Sequence, residues 1–270
     1  MDRLRRIGGW CLLLLPFCGV AAQDGWPGDS LWSVDRTVAR LALDKLEQAY
    51  LLLPDGVLEK YSPDGRLVAR FSRRDLGVPV GLDVSDPLQI LVWYPDYQTV
   101  VVLDRLCTPY QEVRLDPALY PRPTGVAMGR DNLLWVYDAI RHTLYKLDYQ
   151  GQVRGSSQDL SIWQAPPGEA GMLAAGSEGV YLVDSGSGLW VFDRLGQYQF
   201  RWNLPGLDYV SVLSDDVLLV RREGTYMWLG KSPALEPEPF ALPYSGVQQV
   251  AVQGRRVLVA AGKRVVCFQK

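Results

Sequence analysis

Four carboxylates, Asp55, Asp96, Asp138 and Asp184, each follow an apolar run in successive stretches of the chain. Brought together, such groups could hold Ca²⁺, which takes roughly six to eight oxygen ligands, carboxylates among them. A metal-dependent hydrolase or lactonase is the enzymatic function that arrangement would serve. Asp at a strand end is more simply a turn residue, because its carboxylate accepts hydrogen bonds from nearby backbone N–H groups. His142 is the only histidine, which excludes a multi-histidine zinc site and leaves one candidate base for a nucleophile. The chain has no Gly-x-Ser-x-Gly elbow, no P-loop and no Gly-x-Gly-x-x-Gly motif, and no catalytic residue is assigned.

Residues suited to contact occupy the same loop positions. Tyr94 and Tyr97 flank Pro95-Asp96, Arg141 and His142 follow Asp138, and Arg221 and Arg222 follow the run Val217–Val220. Tyrosine joins an apolar body to a polar tip, and arginine supplies a fixed fork of donors, so both types favour binding surfaces. Tyr94, Asp96, Tyr97, Arg141, His142, Arg221 and Arg222 therefore form the expected binding face. A protein partner is the first expectation, and a glycan held on exposed Tyr and Trp is a further alternative.

The elements that must carry these loops repeat. Apolar anchors at Leu41, Leu82, Val126, Met172, Val210 and Val250 each precede another apolar residue two positions on, the alternation of a half-buried strand. A denser run follows each anchor, as in Ala49–Leu53, Ile90–Trp93 and Leu133–Tyr137, which predicts middle strands covered on both faces. A third run and a fourth strand complete each unit, with turns such as Tyr61-Ser-Pro-Asp-Gly65 and Phe192-Asp-Arg-Leu-Gly196 between them. Four strands at a period near forty residues predict an all-β, six-bladed β-propeller. The last unit has three strands, and Ser30–Arg36 has the composition to supply the missing outer one. Blades are expected to start near residues 38, 79, 123, 169, 208 and 247.

The Phe/Tyr/Leu-Asp-x-x-Gly turns and repeated Gly-Val/Leu-x-Val strand starts resemble six-bladed propellers of the NHL and TolB-like type, over roughly residues 30–270. The resemblance implies a fold that serves binding modules, lactonases and signalling domains alike. Calcium-dependent lactonases of this form use a ring of Glu, Asn and Asp ligands. Neither of the two Asn residues here, Asn132 and Asn203, sits in the corresponding loop slot, so no ligand is carried over.

Arg3, Arg5 and Arg6, the apolar stretch Trp10–Val20 and the small residues before Gln23 predict a signal peptide over residues 1–22 and a mature propeller domain over 23–270. Phe17 stands before Cys18 where a lipobox needs a small residue, which argues against lipidation. Without the leader the chain keeps 25 basic and 29 acidic residues, a balance that disfavours nucleic acid. The expected protein is exported to the periplasm, the outer membrane's vicinity or the medium, and does not span a membrane. There it would act as a non-catalytic, cofactor-free scaffold for another envelope or secreted protein.

Overall fold

The computed structural model describes residues 30–269, apart from 130, 169–170, 215–216, 231, 233–235, 241 and 243–245. The expected signal peptide lies outside the described residues.

Strand β1 (Ser30–Val34) is followed by blade 1, β2 (Arg40–Leu43), β3 (Ala49–Leu52), β4 (Leu58–Tyr61) and β5 (Leu67–Phe71). Blade 2 is β6 (Gly81–Asp86), β7 (Gln89–Tyr94), β8 (Thr99–Leu103) and β9 (Pro109–Arg114), and blade 3 is β10 (Pro123–Met128), β11 (Leu134–Asp138), β12 (Thr143–Leu147) and β13 (Val153–Ser156). Blade 4 comprises β14 (Met172–Ala175), β15 (Gly179–Asp184), β16 (Gly188–Asp193) and β17 (Tyr198–Trp202). Blade 5 comprises β18 (Leu207–Ser214), β19 (Val217–Arg222), β20 (Thr225–Gly230) and the two-residue β21 (Glu238–Pro239). Blade 6 takes β22 (Val247–Gln253), β23 (Arg256–Ala261) and β24 (Arg264–Gln269) from the end of the chain and β1 from its start, in the order β1-β24-β23-β22.

The burial patterns follow the strand sequences. The continuous apolar runs of β3, β7, β11 and β15 are buried from end to end. Outer strands such as β5 carry exposed residues at most positions, because only one side meets a neighbouring blade. Each pair of adjacent blades shares one apolar cluster, from Tyr50, Leu58, Val92 and Val101 between blades 1 and 2 round to Leu43, Leu51, Leu258 and Cys267 between blades 6 and 1. The remaining clusters fill the other four boundaries, which closes the ring into a six-bladed β-propeller. Each fully buried aliphatic side chain contributes about 1.5–3 kcal/mol relative to its exposed state.

The segment expected to finish blade 6 does so, with Trp32 paired to Cys267 and Val34 to Val265. The inner strand of blade 1 forms despite the helical composition around it, since Leu41 and Leu43 are buried against blade 6. Cys107 and Cys267 are free, buried thiols, and burial pushes Cys107 up to about 11.

Candidate functional site

Antiparallel blades sort their loops onto two faces. The loops between second and third strands share one face with the connections from blade to blade, and the remaining hairpin turns share the other. Backbone hydrogen bonds tie the second-to-third loops of blades 2 and 3 to adjoining connections: Leu115 N–H donates to Gln98 O (2.8 Å), Ala139 N–H to Arg122 O (2.9 Å) and Leu160 N–H to His142 O (2.8 Å). This pinning fixes where the side chains of the connection face emerge.

On that face Tyr97, at the end of a single 3-10 turn (Pro95–Tyr97), is 56% exposed, and Asp96 beside it lies against Gly77 of the preceding connection. Gly77 has φ +79, and any Cβ there would strike the Asp96 carboxylate, so the close approach requires glycine. Arg141 is exposed and its guanidinium reaches Ala118 O at 3.2 Å, which joins blade 3 to the connection from blade 2. His142 is half-buried at φ 46, with Nδ1 3.1 Å from Pro167 O. Asp96 and Tyr97 thus stand on the connection face of blade 2, and Arg141 and His142 on that of blade 3.

Tyr94 does not join them. It ends β7 with its ring in the cluster between blades 1 and 2 and no surface exposed, so it cannot serve as a contact residue. The β-strand continues one residue further than the Pro95 boundary implied, and burial pushes the Tyr94 hydroxyl up to about 12. Arg221 and Arg222 stand apart on blade 5, with blade 4 between them and the rest. Arg221 is tied to Asp208 by two bonds of 2.7 and 2.8 Å and to Gln248 O, which makes it a strut between blades 5 and 6.

The four carboxylates do not converge either. Asp138 is buried and accepts from the backbone N–H groups of Arg122 (2.8 Å), Ile140 (2.9 Å) and Arg141 (2.8 Å). Asp184 is also buried and accepts from Ser187 N–H (2.8 Å) and Gly168 N–H (3.2 Å). Asp55 accepts from Val57 N–H at 3.2 Å, and Asp55 and Asp96 are exposed. Asp55, Asp138 and Asp184 work as loop organisers. Among the described residues no group of three or more His, Cys, Asp or Glu side chains is placed to hold a metal ion.

Sequence reasoning missed two features. The first is an arc of exposed apolar side chains around the paired loops: Val78, Leu119, Ile140 and Ile162, between 52% and 68% exposed, beside Tyr97. Their signal is an apolar residue inside an otherwise polar connection, which a repeat alignment discards as irregular. The second is the lining of the central channel, a cavity of about 410 Å³ bordered by the inner strands of all six blades, which includes none of Asp55, Asp96, Asp138 and Asp184. Ala42, Leu82 and Val84 are among its apolar lining residues, and strand direction places Arg40 and Tyr209 towards one end and Lys45, Asp86 and Gln253 towards the other. Burial, with the neighbouring Tyr226, pushes the half-buried Tyr209 up to about 12, so it is a neutral hydrogen-bonding group there. The channel's acidic residues are Asp83 and Asp86; Asp83 spans to blade 3 by accepting Met128 N–H at 2.8 Å.

No protein-family model matches the chain, and no curated protein matches it in sequence. Similar solved structures are a catalytically inactive virginiamycin B lyase from Staphylococcus aureus with quinupristin, at 12% identity and TM-score 0.58 over 85% of this chain and 79% of that one. The Pan2 WD40 domain of Neurospora crassa is similar at 11% identity and TM-score 0.61, over 86% of this chain and 78% of that one. PorZ, a surface component of the type-IX secretion system of Porphyromonas gingivalis, is similar at 15% identity and TM-score 0.55, over 87% of this chain and 31% of that one. At such identities the likeness speaks for architecture alone: this chain is a six-bladed β-propeller.

Proposed function

We propose that this protein is an exported, non-catalytic scaffold that binds another envelope or secreted protein through the connection face of blades 2 and 3. The observation that carries the reading is the exposed apolar arc of Val78, Tyr97, Leu119 and Ile140 beside Arg141. An apolar patch rimmed by polar groups on a rigid scaffold is the usual composition of a protein-binding surface. The basic and apolar N-terminal leader supports export, and the similar PorZ is a bacterial surface component of a secretion system. The Asp-x-x-Gly turns support placing the blades with the NHL and TolB-like type.

The test is capture of native envelope partners by the mature chain and by a Tyr97→Ser/Ile140→Ser/Arg141→Glu variant with an unchanged melting temperature. Loss of capture in the variant supports the face; undiminished capture overturns it.

A metal-dependent lactonase or hydrolase is the competing reading, favoured by the acidic residues at the channel, Asp83 and Asp86. It requires stoichiometric divalent metal in the purified protein. Elemental analysis decides between the two.

A further inference from the structure

The six-fold repeat breaks its symmetry at the mouth of the central channel. The residue before each inner-strand anchor stands at the same level of its blade, paired near the end of the second strand: Arg40 with Leu52, Gly81 with Trp93, Gly125 with Tyr137, Tyr209 with Arg221, and Gln249 with Ala260. Gly171 holds the place in blade 4, where its N–H donates to Val183 O at 3.3 Å. Blades 2, 3 and 4 thus offer glycine, and blades 5, 6 and 1 offer tyrosine, glutamine and arginine. Close packing imposes two of the glycines, since a Cβ would lie 2.8 Å from Trp93 Cβ at Gly81 and 3.0 Å from Leu173 Cδ1 at Gly125. At this level the mouth has polar side chains along one half and none along the other.

The three polar residues are not equivalent. Gln249 is spent on the backbone of blade 1: its Oε1 accepts Leu41 N–H (2.9 Å) and its Nε2 donates to Ala39 O (2.6 Å), on either side of Arg40. Arg40 donates through Nε to Val80 O at 3.3 Å, and among the described residues its half-buried guanidinium makes no ion pair with a carboxylate. Its charge persists, because a guanidinium is not deprotonated in proteins. Tyr209 is also half-buried. Burial raises its hydroxyl to about 12 and the Arg40 charge works against that rise, so the phenol is a neutral donor within the field of the guanidinium.

Behind this mouth Ala42, Leu82, Ala174 and Val212 line the cavity from four blades and are only half-buried. The volume, about 410 Å³, falls in the range of roughly 300–1,000 Å³ that small-molecule sites occupy. Among the described residues the lining has two cations and two carboxylates, and they are separated along the axis. Strand direction puts Arg40 alone at the connection end, Asp83 deeper in the wall of blade 2, and Asp86 and Lys45 together towards the other end. Asp83 accepts Ser85 N–H and Met128 N–H at 2.8 Å each, neutral donors that do not cancel its charge. Such a lining favours a ligand with one negative group at the mouth, an uncharged apolar body behind it and no second negative group further in. A carboxylate suits the two donors, because a guanidinium and a phenol present N–H and O–H groups to its oxygens.

We propose that the connection end of the channel binds a small organic monocarboxylate, with the Arg40 guanidinium and the Tyr209 hydroxyl on its oxygens and its apolar body along Ala42, Leu82, Ala174 and Val212. The site lies inside the ring, apart from the exposed arc that serves the scaffold role.

Isothermal titration calorimetry of the mature chain with octanoate, octanedioate and octylamine tests it. Octanoate is expected to bind saturably, one per chain. Octanedioate, whose second carboxylate would meet Asp83, and octylamine, whose ammonium would meet Arg40, should each bind roughly tenfold more weakly or worse. Arg40→Gln should weaken octanoate by about tenfold or more, and Tyr209→Phe by less, both with unchanged melting temperatures. The parent's discrimination among the three ligands decides the matter should either variant fold poorly. The Tyr97→Ser/Ile140→Ser variant should bind octanoate as the parent does, so failure of the partner reading is scored separately. Absence of octanoate binding to the parent, equal binding of octanoate and octylamine, or octanoate binding that survives Arg40→Gln overturns the inference.

Discussion

Glu59 is a buried acid with a mechanical role. It is 2% exposed and receives Arg36 at 2.8 Å, Arg70 at 2.8 Å and the Tyr61 hydroxyl at 2.7 Å, so it clamps the crossing from β1 to blade 1. Burial pushes its carboxyl upward, but the hydrogen bonds from Arg36, Tyr61 and Arg70 outweigh that and hold it below the ordinary value. A depressed folded value means that the stability Glu59 supplies is complete above about pH 4.5 and is lost as the pH falls through the folded value. A melting series against pH should therefore show an acid-side decline that is much shallower in Glu59→Gln. At neutral pH that variant should be less stable by roughly 2–3 kcal/mol in denaturant titration, given the partners left uncompensated. The local sequence does not mark Glu59 as a clamp, since its two arginine partners come from positions 23 and 11 residues away. Tyr94 shows the converse failure: Pro95-Asp96 looks like a loop start, yet β7 runs to Tyr94 and buries it. Asp138 and Asp184 were legible as turn residues because their partners lie mostly within three residues.

At the scale of the element, the outer strands decide how the blades end. Trp32 of β1 stacks on Tyr61 at 5.9 Å and 14°, donates its indole N–H to Pro63 O at 3.1 Å and covers Gly65. Trp32→Ala should cost about 2–3 kcal/mol, less than a fully buried tryptophan, because its ring is half-buried. Gly65 has φ +82, and a Cβ there would come within 2.5 Å of the indole, so Gly65→Ala should lower stability by about 1–3 kcal/mol. Chemical denaturation of both variants checks the pair, and the double variant should cost less than the sum because the clash vanishes with the ring. The middle strands were legible from hydrophobic density alone, as β7 and β15 show. The fourth strand of blade 5 was not: β21 has two residues, and its pairing of Met227 with Pro239 rests on contacts from β20 rather than on any alternation of its own.

At the scale of the molecule, one ring carries two unlike faces around an axial cavity. The expected outcome of a thermal melt with and without a calcium chelator is no shift, since Asp83, Asp138 and Asp184 are engaged by backbone donors. A drop of several degrees on chelation would displace the scaffold reading. Among the described residues no helix is long and apolar enough to cross a membrane. The ring's joint sets the timing of its assembly. Arg264 reaches Ser33 Oγ at 2.9 Å across 231 residues of sequence, so blade 6 joins strands that are synthesised far apart in time. Loop closure over that distance is a slow step in folding. In pulse-labelled hydrogen exchange, amides of β1 and β24 should gain protection together and after those of blades 2 and 3. Until that moment the blades form an open arc with two bare edges, which stays unlocked for as long as β24 is withheld from β1.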